Sequence, residues 1–379
     1  MKKFFTTFLL IALYSFTYAQ KTISDPSFIL SGHTDDVDAV AISPSGNILA
    51  SGSWDKNINI YKSDSPFNFI RPLIGHVAPV NVLKFNSSGK LLASGSSDFM
   101  VKLWDSVFRV KNLEGHRGNI NCLLFDNQSR YLFSGSDDKT IIAWDVATGK
   151  PFRAINNIQA VYSLAQAAND PRLLYVAGAE PKIKVYSLTN IQVVKTFDGH
   201  TDIVNCIDIS KNNLYMISGS NDKSARIWDL KTGKELRKLN VDCWKVTEVA
   251  FSDDSKYAVT GCNDGSIKIW EVETGKLLSK IESPGNVVRD ITFVKNKNIA
   301  VANMLRGSKE YGVRIWPTGI VPQSNKPAVI MTKADSIQSK LNAKKTDSIR
   351  VAQLKNDSIM MRGIPSNAKQ RPANIPAKK

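Results

Sequence analysis

Residues Ser134 to Asp145 read SGSDDKTIIAWD, and this stretch decides the fold because close variants of it occur four more times. The variants are SGSWDKNINIYK from Ser51, SGSSDFMVKLWD from Ser94, SGSNDKSARIWD from Ser218 and TGCNDGSIKIWE from Thr260. A serine, an aspartate and a tryptophan at fixed spacing can carry out catalysis, but they can also hold a repeated unit together. The period of the repeat bears on which interpretation holds.

The repeat has seven copies. The aromatic residues that end the copies are Tyr61, Trp104, Trp144, Tyr186, Trp228, Trp270 and Trp316, which lie 43, 40, 42, 42, 42 and 46 positions apart. Self-similarity at a period of about 20–50 residues is typical of solenoids and propellers.

Each copy has the pattern of four short strands. The first strand begins at an apolar residue: Val37, Val80, Ile120, Val161, Val204, Val246 or Val288. Two further strands are separated by turn residues such as DDKT at 137–140, and a TGK turn follows the aromatic in three copies. Four short antiparallel strands make one propeller blade. The sequence therefore predicts an all-β fold, a seven-bladed β-propeller over residues 20–317.

These residues resemble the WD-repeat family of β-propellers over about Phe28 to Pro317. The resemblance rests on Gly-His pairs ending at His33, His76, His116 and His200, on the turn aspartates, and on Trp-Asp at positions 104–105, 144–145 and 228–229. It implies that an N-terminal segment supplies the outermost strand of the last blade. SFIL at 27–30 is placed to do so, which would close the ring without a free sheet edge.

The resemblance also implies that the polar residues that recur between the repeats form a structural tetrad, a hydrogen-bonded set of His, Ser, Asp and Trp. The matching positions are His33 with Ser51 and Asp55; His76 with Ser94, Asp98 and Trp104; His116 with Ser134, Asp138 and Trp144; and His200 with Ser218, Asp222 and Trp228. Asn157 and Asp242 stand where the fourth and sixth units would have histidine, and the seventh unit lacks it. These three blades are expected to depend mainly on apolar packing.

The N-terminal residues 1–19, MKKFFTTFLLIALYSFTYA, have the composition of a secretory signal peptide cleaved before Gln20. The alternative is a retained membrane anchor, but the apolar run from Phe4 to Phe16 is shorter than the roughly 20 residues that a spanning helix needs. We expect no transmembrane anchor and an exported protein, periplasmic or extracellular. The two lysines and the short apolar core suit a bacterial-type envelope protein, although eukaryotic secretion stays open.

The net charge of +16 is concentrated in the tail. Residues 318–379 carry 12 Lys and Arg against 3 Asp, so the propeller span is only mildly basic. This basic low-complexity tail is either a marginal amphipathic helix over about 332–362 or a solvated disordered segment. Its charge suits an anionic envelope polymer, an anionic lipid surface or an acidic partner. We expect no nucleic-acid binding, because the chain is predicted to be exported.

The four cysteines predict neither a disulfide framework nor a zinc site. They are Cys122, Cys206, Cys243 and Cys262, and none forms a CxxC pair. Cys122 and Cys206 lie inside apolar strings, where a small buried side chain is expected.

The sequence favours a binding platform over an enzyme. All four histidines belong to the Gly-His pairs, so none is left as a general base or metal ligand. We expect no catalytic residue, no metal and no cofactor. The alternative is a propeller hydrolase or lyase that uses carboxylates of the central channel, or an envelope-polymer binder that acts through the tail.

The predicted partner is another protein, held on the narrower face of the ring. The family resemblance places two sets of side chains on that face: Asp38, Asn81, Asn121, Tyr162, Asn205, Thr247 and Arg289; and Trp54, Ser97, Asp137, Asn221 and Asn263. Trp54 and Trp244 fall outside the blade-building slot, and exposed tryptophan is a common interface anchor. With Lys245, Arg289 and the loop 303–312 they define a predicted binding sector, although each indole can instead lie flat on a neighbouring loop.

Overall fold

The computed structural model describes residues 21–63, 67–156, 159–282, 286–294, 298–305 and 311–319. The predicted signal peptide, Asn157, the centre of the 303–312 loop and the tail beyond Gly319 lie outside these residues. Within the described ranges the chain forms 29 β-strands and no helix, so no helix there is suited to crossing a membrane.

The strands form seven sheets, antiparallel apart from one added edge strand, which confirms the seven-bladed propeller. Blade 1 consists of β3 (Val37–Ile42), β4 (Ile48–Ser53), β5 (Ile58–Lys62) and β6 (Asn68–Leu73). Blade 2 consists of β7 (Val80–Phe85), β8 (Leu91–Ser96), β9 (Val101–Asp105) and β10 (Val110–Leu113). Blade 3 consists of β11 (Ile120–Phe125), β12 (Tyr131–Ser136), β13 (Ile141–Asp145) and β14 (Pro151–Ile155). Blade 4 consists of β15 (Val161–Ala165), β16 (Leu173–Gly178), β17 (Glu180–Ser187) and β18 (Gln192–Phe197).

The remaining three blades include the N-terminal strands. Blade 5 consists of β19 (Val204–Ile209), β20 (Tyr215–Ser220), β21 (Ser224–Asp229) and β22 (Glu235–Asn240). Blade 6 consists of β23 (Val246–Phe251), β24 (Tyr257–Cys262), β25 (Ser266–Glu271) and β26 (Leu277–Glu282), with β1 (Lys21–Ile23) added. Blade 7 consists of β27 (Asn286–Val294), β28 (Asn298–Leu305) and β29 (Gly312–Pro317), completed by β2 (Phe28–Ser31).

Strand β2 closes the ring. It pairs antiparallel with β29, from Phe28 opposite Ile315 to Ser31 opposite Gly312, as the sequence predicts. The inner strand β27 of blade 7 packs beside β3 of blade 1. Strand β1 was not predicted: it pairs parallel with β26 and makes blade 6 a five-stranded sheet.

The core lies between neighbouring blades rather than within one sheet. Trp144 of blade 3 is fully buried against Ala93 and Leu103 of blade 2, and the other third-strand aromatics occupy the same slot. Every second residue of a strand faces this interface because side chains alternate across a sheet.

The glycine of the SGS motif is needed for this close packing. A Cβ atom added to Gly135 would lie 2.4 Å from Cγ1 of Val161, on the first strand of the next blade. Any larger residue would therefore push adjacent blades apart.

One disulfide bond corrects the expectation from the cysteine pattern. Cys243 and Cys262 are bonded, with a sequence separation of 19, whereas Cys122 and Cys206 are free and buried. The positions of Cys243 and Cys262 in sequence carry no CxxC signal. The β23–β24 hairpin, in which Val246 lies opposite Cys262, brings the loop before β23 against the end of β24.

Candidate functional site

The repeated Ser, His, Asp and Trp form one continuous hydrogen-bonded chain in blade 3. Nδ1 of His116 lies 2.7 Å from Oδ2 of Asp138, and Nε2 lies 2.7 Å from Oγ of Ser134. The indole Nε1 of Trp144 donates to the same Ser134 Oγ at 2.8 Å. Blades 2 and 5 have the same arrangement. Blade 1 has the links of His33 to Asp55 and Ser51, and the hydroxyl of Tyr61, in the tryptophan slot, donates to the Ser31 carbonyl.

This connectivity is also that of the Ser-His-Asp triad of hydrolases. Here Ser134 has no exposed surface and His116 is 7% exposed, so no substrate could reach the hydroxyl. The hydroxyl oxygen also accepts the Trp144 indole N–H. The arrangement has the bonds of a triad without an accessible nucleophile.

The protonation states of the tetrad histidine and aspartate fit a structural role for the hydrogen-bonded chain. Burial lowers the pKa of His116, against the opposing effect of Asp138, so the imidazole is neutral at pH 7. A neutral ring fits the network when Nδ1–H donates to Asp138 and Nε2 accepts from Ser134. Burial alone would raise the pKa of Asp98, but hydrogen bonds from His76 and from backbone N–H groups lower it to about 2.

Blade 6 replaces the histidine link with other bonds. Trp270 still donates to Oγ1 of Thr260, at 3.0 Å, but Asp242 stands at the histidine position. Nζ of the buried Lys268 contacts Asp242 at 3.2 Å and also donates to the carbonyl of Val241. The Cys243–Cys262 bond joins the same loop and strand that His and Ser join elsewhere. In blade 6 these bonds add to the apolar packing that the sequence predicts, which includes Phe251, Trp270 and Val272.

Trp54 and Arg289 of the predicted binding sector meet at Asp38. The indole Nε1 of Trp54 donates to Oδ2 of Asp38 at 2.7 Å, and Nε of Arg289 lies 3.3 Å from Oδ1. Burial raises the pKa of Asp38, although Arg289 and Trp54 act in the opposite direction. Trp54 remains 41% exposed, so blades 1 and 7 present a partly fixed indole at their junction.

Trp244 lies in the loop between β22 and β23, at the same face as the β4–β5 turn that carries Trp54. Its side chain is 74% exposed, and Nζ of Lys223 sits 4.7 Å from the ring centroid. The neighbouring Lys245 is half-buried, and its backbone N–H donates to Oδ1 of Asn263. A cavity of about 450 Å³ opens beside the indole.

Three asparagines of the predicted face connect blades, and the first, Asn81, donates to Ile120 O at 3.1 Å. The side-chain amide of Asn121 donates to Val161 O at 3.0 Å and to Asp137 at 2.7 Å. Asn205 similarly donates to Val246 O at 2.8 Å. Their amides are engaged between neighbouring blades, while Asp137 is exposed and Tyr162 is half-buried.

The central channel contains acidic side chains that the sequence analysis did not single out. A cavity of about 630 Å³ is lined by the first strands and includes Asp208, Glu248 and Asp290. Burial raises the pKa of Asp290 to about 6 and that of Glu248 well above its usual value. Asp290 accepts the Val40 N–H at 2.9 Å, and Asp208 accepts the Phe251 N–H at 2.7 Å.

Asp208 and Asp290 therefore join adjacent blades. Their signal in the sequence is an acid inside an otherwise apolar first strand, such as VNCIDI at 204–209. Across the described ranges no group of three or more His, Cys, Asp or Glu is placed to hold a metal ion.

Comparison with known proteins agrees with this architecture. The family described as "WD domain, G-beta repeat" matches residues 24–62, 67–105, 108–145, 191–229 and 233–271, about half of the chain. Similar proteins include eukaryotic translation initiation factor 3 subunit I of Xenopus tropicalis, 36% identical over 73 residues, which are 19% of this chain and 22% of that protein. Transcription factor unc-37 of Caenorhabditis elegans is 40% identical over 80 residues, 21% of this chain and 13% of that protein.

The matched segments are short relative to these relatives. The initiation factor subunit of Schizosaccharomyces pombe is 35% identical over 86 residues, 23% of this chain and 26% of that protein. The matches thus span about a quarter or less of each relative. All three relatives are eukaryotic, so they give no support to a bacterial-type origin.

Proposed function

This chain belongs to the WD domain, G-beta repeat family, and from that premise we propose that it is an exported, non-catalytic scaffold that binds a protein partner. Propellers of this family generally bind proteins, and the relatives named above are a translation factor subunit and a transcription factor. The partner lies on the binding sector formed by Trp54, Trp244, Lys245 and Arg289. The observation that carries the proposal is that two indoles, 41% and 74% exposed, stand on the same face of the ring.

The blades that carry the proposed sector are neighbours in the ring. Trp54 belongs to blade 1 and Trp244 to blade 6, and blade 7 with Arg289 lies between them in the closed ring. Large aromatic side chains that become fully desolvated supply most of the binding energy at protein interfaces. Arg289 is already paired with Asp38, which keeps its charge at the junction of blades 1 and 7.

The proposal does not include catalysis. The tetrad serines are buried, and the channel carboxylates Asp208 and Asp290 accept backbone N–H groups of the next blade. Both sets of residues have bonding partners that account for their presence.

Export to a periplasm or to the outside of a bacterial-type cell is part of the proposal. Its support is the composition of residues 1–19 together with the Cys243–Cys262 bond, since disulfides persist in oxidising compartments. Mass spectrometry of the protein from the exported fraction is expected to find an N-terminus at Gln20. An intact Met1 in the cytosolic fraction would contradict export.

The binding sector is tested by capture with matched variants. Immobilised mature protein is used to retain a partner from its own cells, and the purified partner is then titrated against Trp54→Ala, Trp244→Ala and Phe152→Ala. We expect each tryptophan variant to lose about 2 kcal/mol or more of binding energy with little change in Tm. Phe152, an aromatic 57% exposed on the outer strand β14, serves as the control and should bind normally. Normal binding by both tryptophan variants would place the partner elsewhere.

A further inference from the structure

The cavity beside Trp244 exists where four other blades place an imidazole. In blade 3, Oδ2 of the turn aspartate Asp138 accepts hydrogen bonds from the His116 ring and from the Arg117 N–H. The corresponding aspartate of blade 6 is Asp264, and no histidine faces it because Asp242 occupies that position. Its Oδ1 accepts Ser266 at 2.9 and 2.6 Å, and no described residue donates a hydrogen bond to Oδ2.

The walls of the cavity combine an indole with carboxylates. It measures about 450 Å³ and is lined by Lys223, Asn240, Val241, Asp242, Cys243, Trp244 and Asp264. This volume falls within the roughly 300–1,000 Å³ usual for ligand pockets. Two bonds fix the loop that carries Trp244. They are the Cys243–Cys262 disulfide and the hydrogen bond from the buried Lys268 to the Val241 carbonyl.

The indole is specific to this blade. Trp244 stands two residues after the histidine position, where the four blades with a complete histidine link have Asp35, Ala78, Gly118 and Asp202. None of these four blades therefore has an aromatic side chain at this loop position.

A cation already occupies the face of the ring. Nζ of Lys223, an exposed side chain from blade 5, lies 4.7 Å from the Trp244 centroid. Ammonium and guanidinium groups within about 6 Å of an aromatic face are attracted by its quadrupole. Because Lys223 is exposed and flexible, it can leave the ring at little cost when another cation arrives.

We propose that this cavity binds a lysine or arginine side chain of the protein partner, an inference that rests on the proposed function of the same sector. The incoming cation takes the place of Lys223 on the indole and pairs with the carboxylate of Asp264. Asp242, the other carboxylate of the cavity, is already paired with Lys268, so Asp264 is the carboxylate that the incoming cation meets.

The test uses small probes on the mature protein with ¹⁵N-labelled indoles. N-acetyl-arginine amide and N-acetyl-lysine amide are titrated while the Trp244 indole resonance, assigned with Trp244→Phe, is followed by NMR. We expect a saturable shift of this resonance with both probes. The neutral N-acetyl-citrulline amide, which matches arginine in shape, should leave it unchanged.

Two substitutions are expected to change affinity in opposite directions. Asp264→Asn keeps the Ser266 bonds but removes the charge, and should weaken the basic probes by about threefold. Lys223→Gln removes the resident cation and should strengthen them by about threefold. Lys139→Gln changes the equivalent turn lysine of blade 3, beside an intact His–Asp pair, and should have no effect.

Several results would overturn the inference: an indole resonance that does not move, an equal shift with citrulline, or weaker binding after Lys223→Gln. Loss of partner capture by Trp244→Ala together with an unresponsive indole would reject this cavity and leave the proposed function standing. Basic probes that bind as expected while both tryptophan variants still capture the partner would instead reject the sector as the partner's site.

Discussion

At the scale of single residues, the bonding pattern of a triad surrounds a serine that has no exposed surface. Asp138 accepts four hydrogen bonds, from His116, the Arg117 N–H and both the N–H and hydroxyl of Thr140. His116 is buried and Thr140 is half-buried, whereas the Arg117 N–H lies at the surface. The aspartate therefore stabilises the blade by satisfying donors that would otherwise be buried without partners.

Asp138→Ala is expected to lower the free energy of unfolding by about 1–3 kcal/mol, because it leaves His116 and its neighbours unpaired. Denaturant unfolding followed by circular dichroism measures the change. Arg117→Ala, which removes an exposed side chain and keeps the backbone N–H that binds Asp138, is the control and should stay within about 0.5 kcal/mol of the wild type. Equal stability of the two variants would contradict the structural role of the tetrad.

The channel residue Asp290 should make stability depend on pH. Its folded-state pKa of about 6 lies above the usual 3.8, so ionisation opposes folding. The stability contributed by the protonated acid is present below about pH 4 and is lost as the pH rises through 6.

Asp290→Asn retains an oxygen for the Val40 N–H and cannot ionise. We expect it to be more stable than the wild type at pH 8 by about 1–2 kcal/mol, a figure reduced because the carboxylate also faces water in the channel. The advantage should vanish by pH 4 in calorimetric scans. An advantage independent of pH would mean that packing, rather than ionisation, is responsible.

At the scale of elements, blade 6 shows that one fold position can be stabilised by different chemistry. In four blades a buried imidazole joins the loop before the first strand to the second strand. In blade 6 the Cys243–Cys262 bond and the Lys268–Asp242 pair make this connection. The covalent bond acts mainly on the unfolded chain, whose freedom it restricts.

Cys243→Ser is expected to destabilise the protein by about 2–4 kcal/mol, the usual value for a loop of this length. Reduction of the wild type by dithiothreitol should lower the free energy of unfolding by a similar amount, which is observed as a lower Tm. The double variant Cys243→Ser and Cys262→Ser is the control, since reductant should not change its Tm. If reductant leaves the wild type unaffected, the bond does not support blade 6.

At the scale of the whole molecule, stability depends on closing the ring. Strand β2 supplies the last edge of blade 7, and its Leu30 is buried in the core between blades 7 and 1. Strand β1 adds only three residues to the edge of a blade that is already complete, with Ile23 buried. The two strands therefore have unequal importance.

A chain beginning at Gly32, which lacks β2, should lose cooperative unfolding or fall by more than about 10 °C in Tm, because an open ring exposes both a sheet edge and a core face. A chain beginning at Asp25 lacks only β1 and should fall by a few degrees. Truncation after Thr318 removes the basic tail and should leave Tm within about 2 °C. Calorimetry of the three truncated chains checks this order.

The sequence by itself determined the blade number, the closing strand and the residues of each tetrad. Strands such as Ile141–Asp145 and their turns are specified by short-range alternation and turn chemistry, and a repeat displays the same local signal seven times. The glycine of each SGS motif belongs to the same local pattern, although glycine is required there because the first strand of the next blade packs against it.

Only the tertiary structure decided the features that depend on contacts between segments separated in sequence. The Cys243–Cys262 bond, the β1–β26 pairing, the Asp290–Val40 bond and the cavity beside Trp244 each join segments whose spacing has no local signature. Val40 and Asp290 are 250 positions apart, and closure of the ring makes them neighbours. Local hydrogen bonding and side-chain alternation act over a few residues, whereas these contacts exist only after strands have paired or packed: the disulfide and the β1–β26 pairing need blade 6, and the Asp290–Val40 bond needs the closed ring.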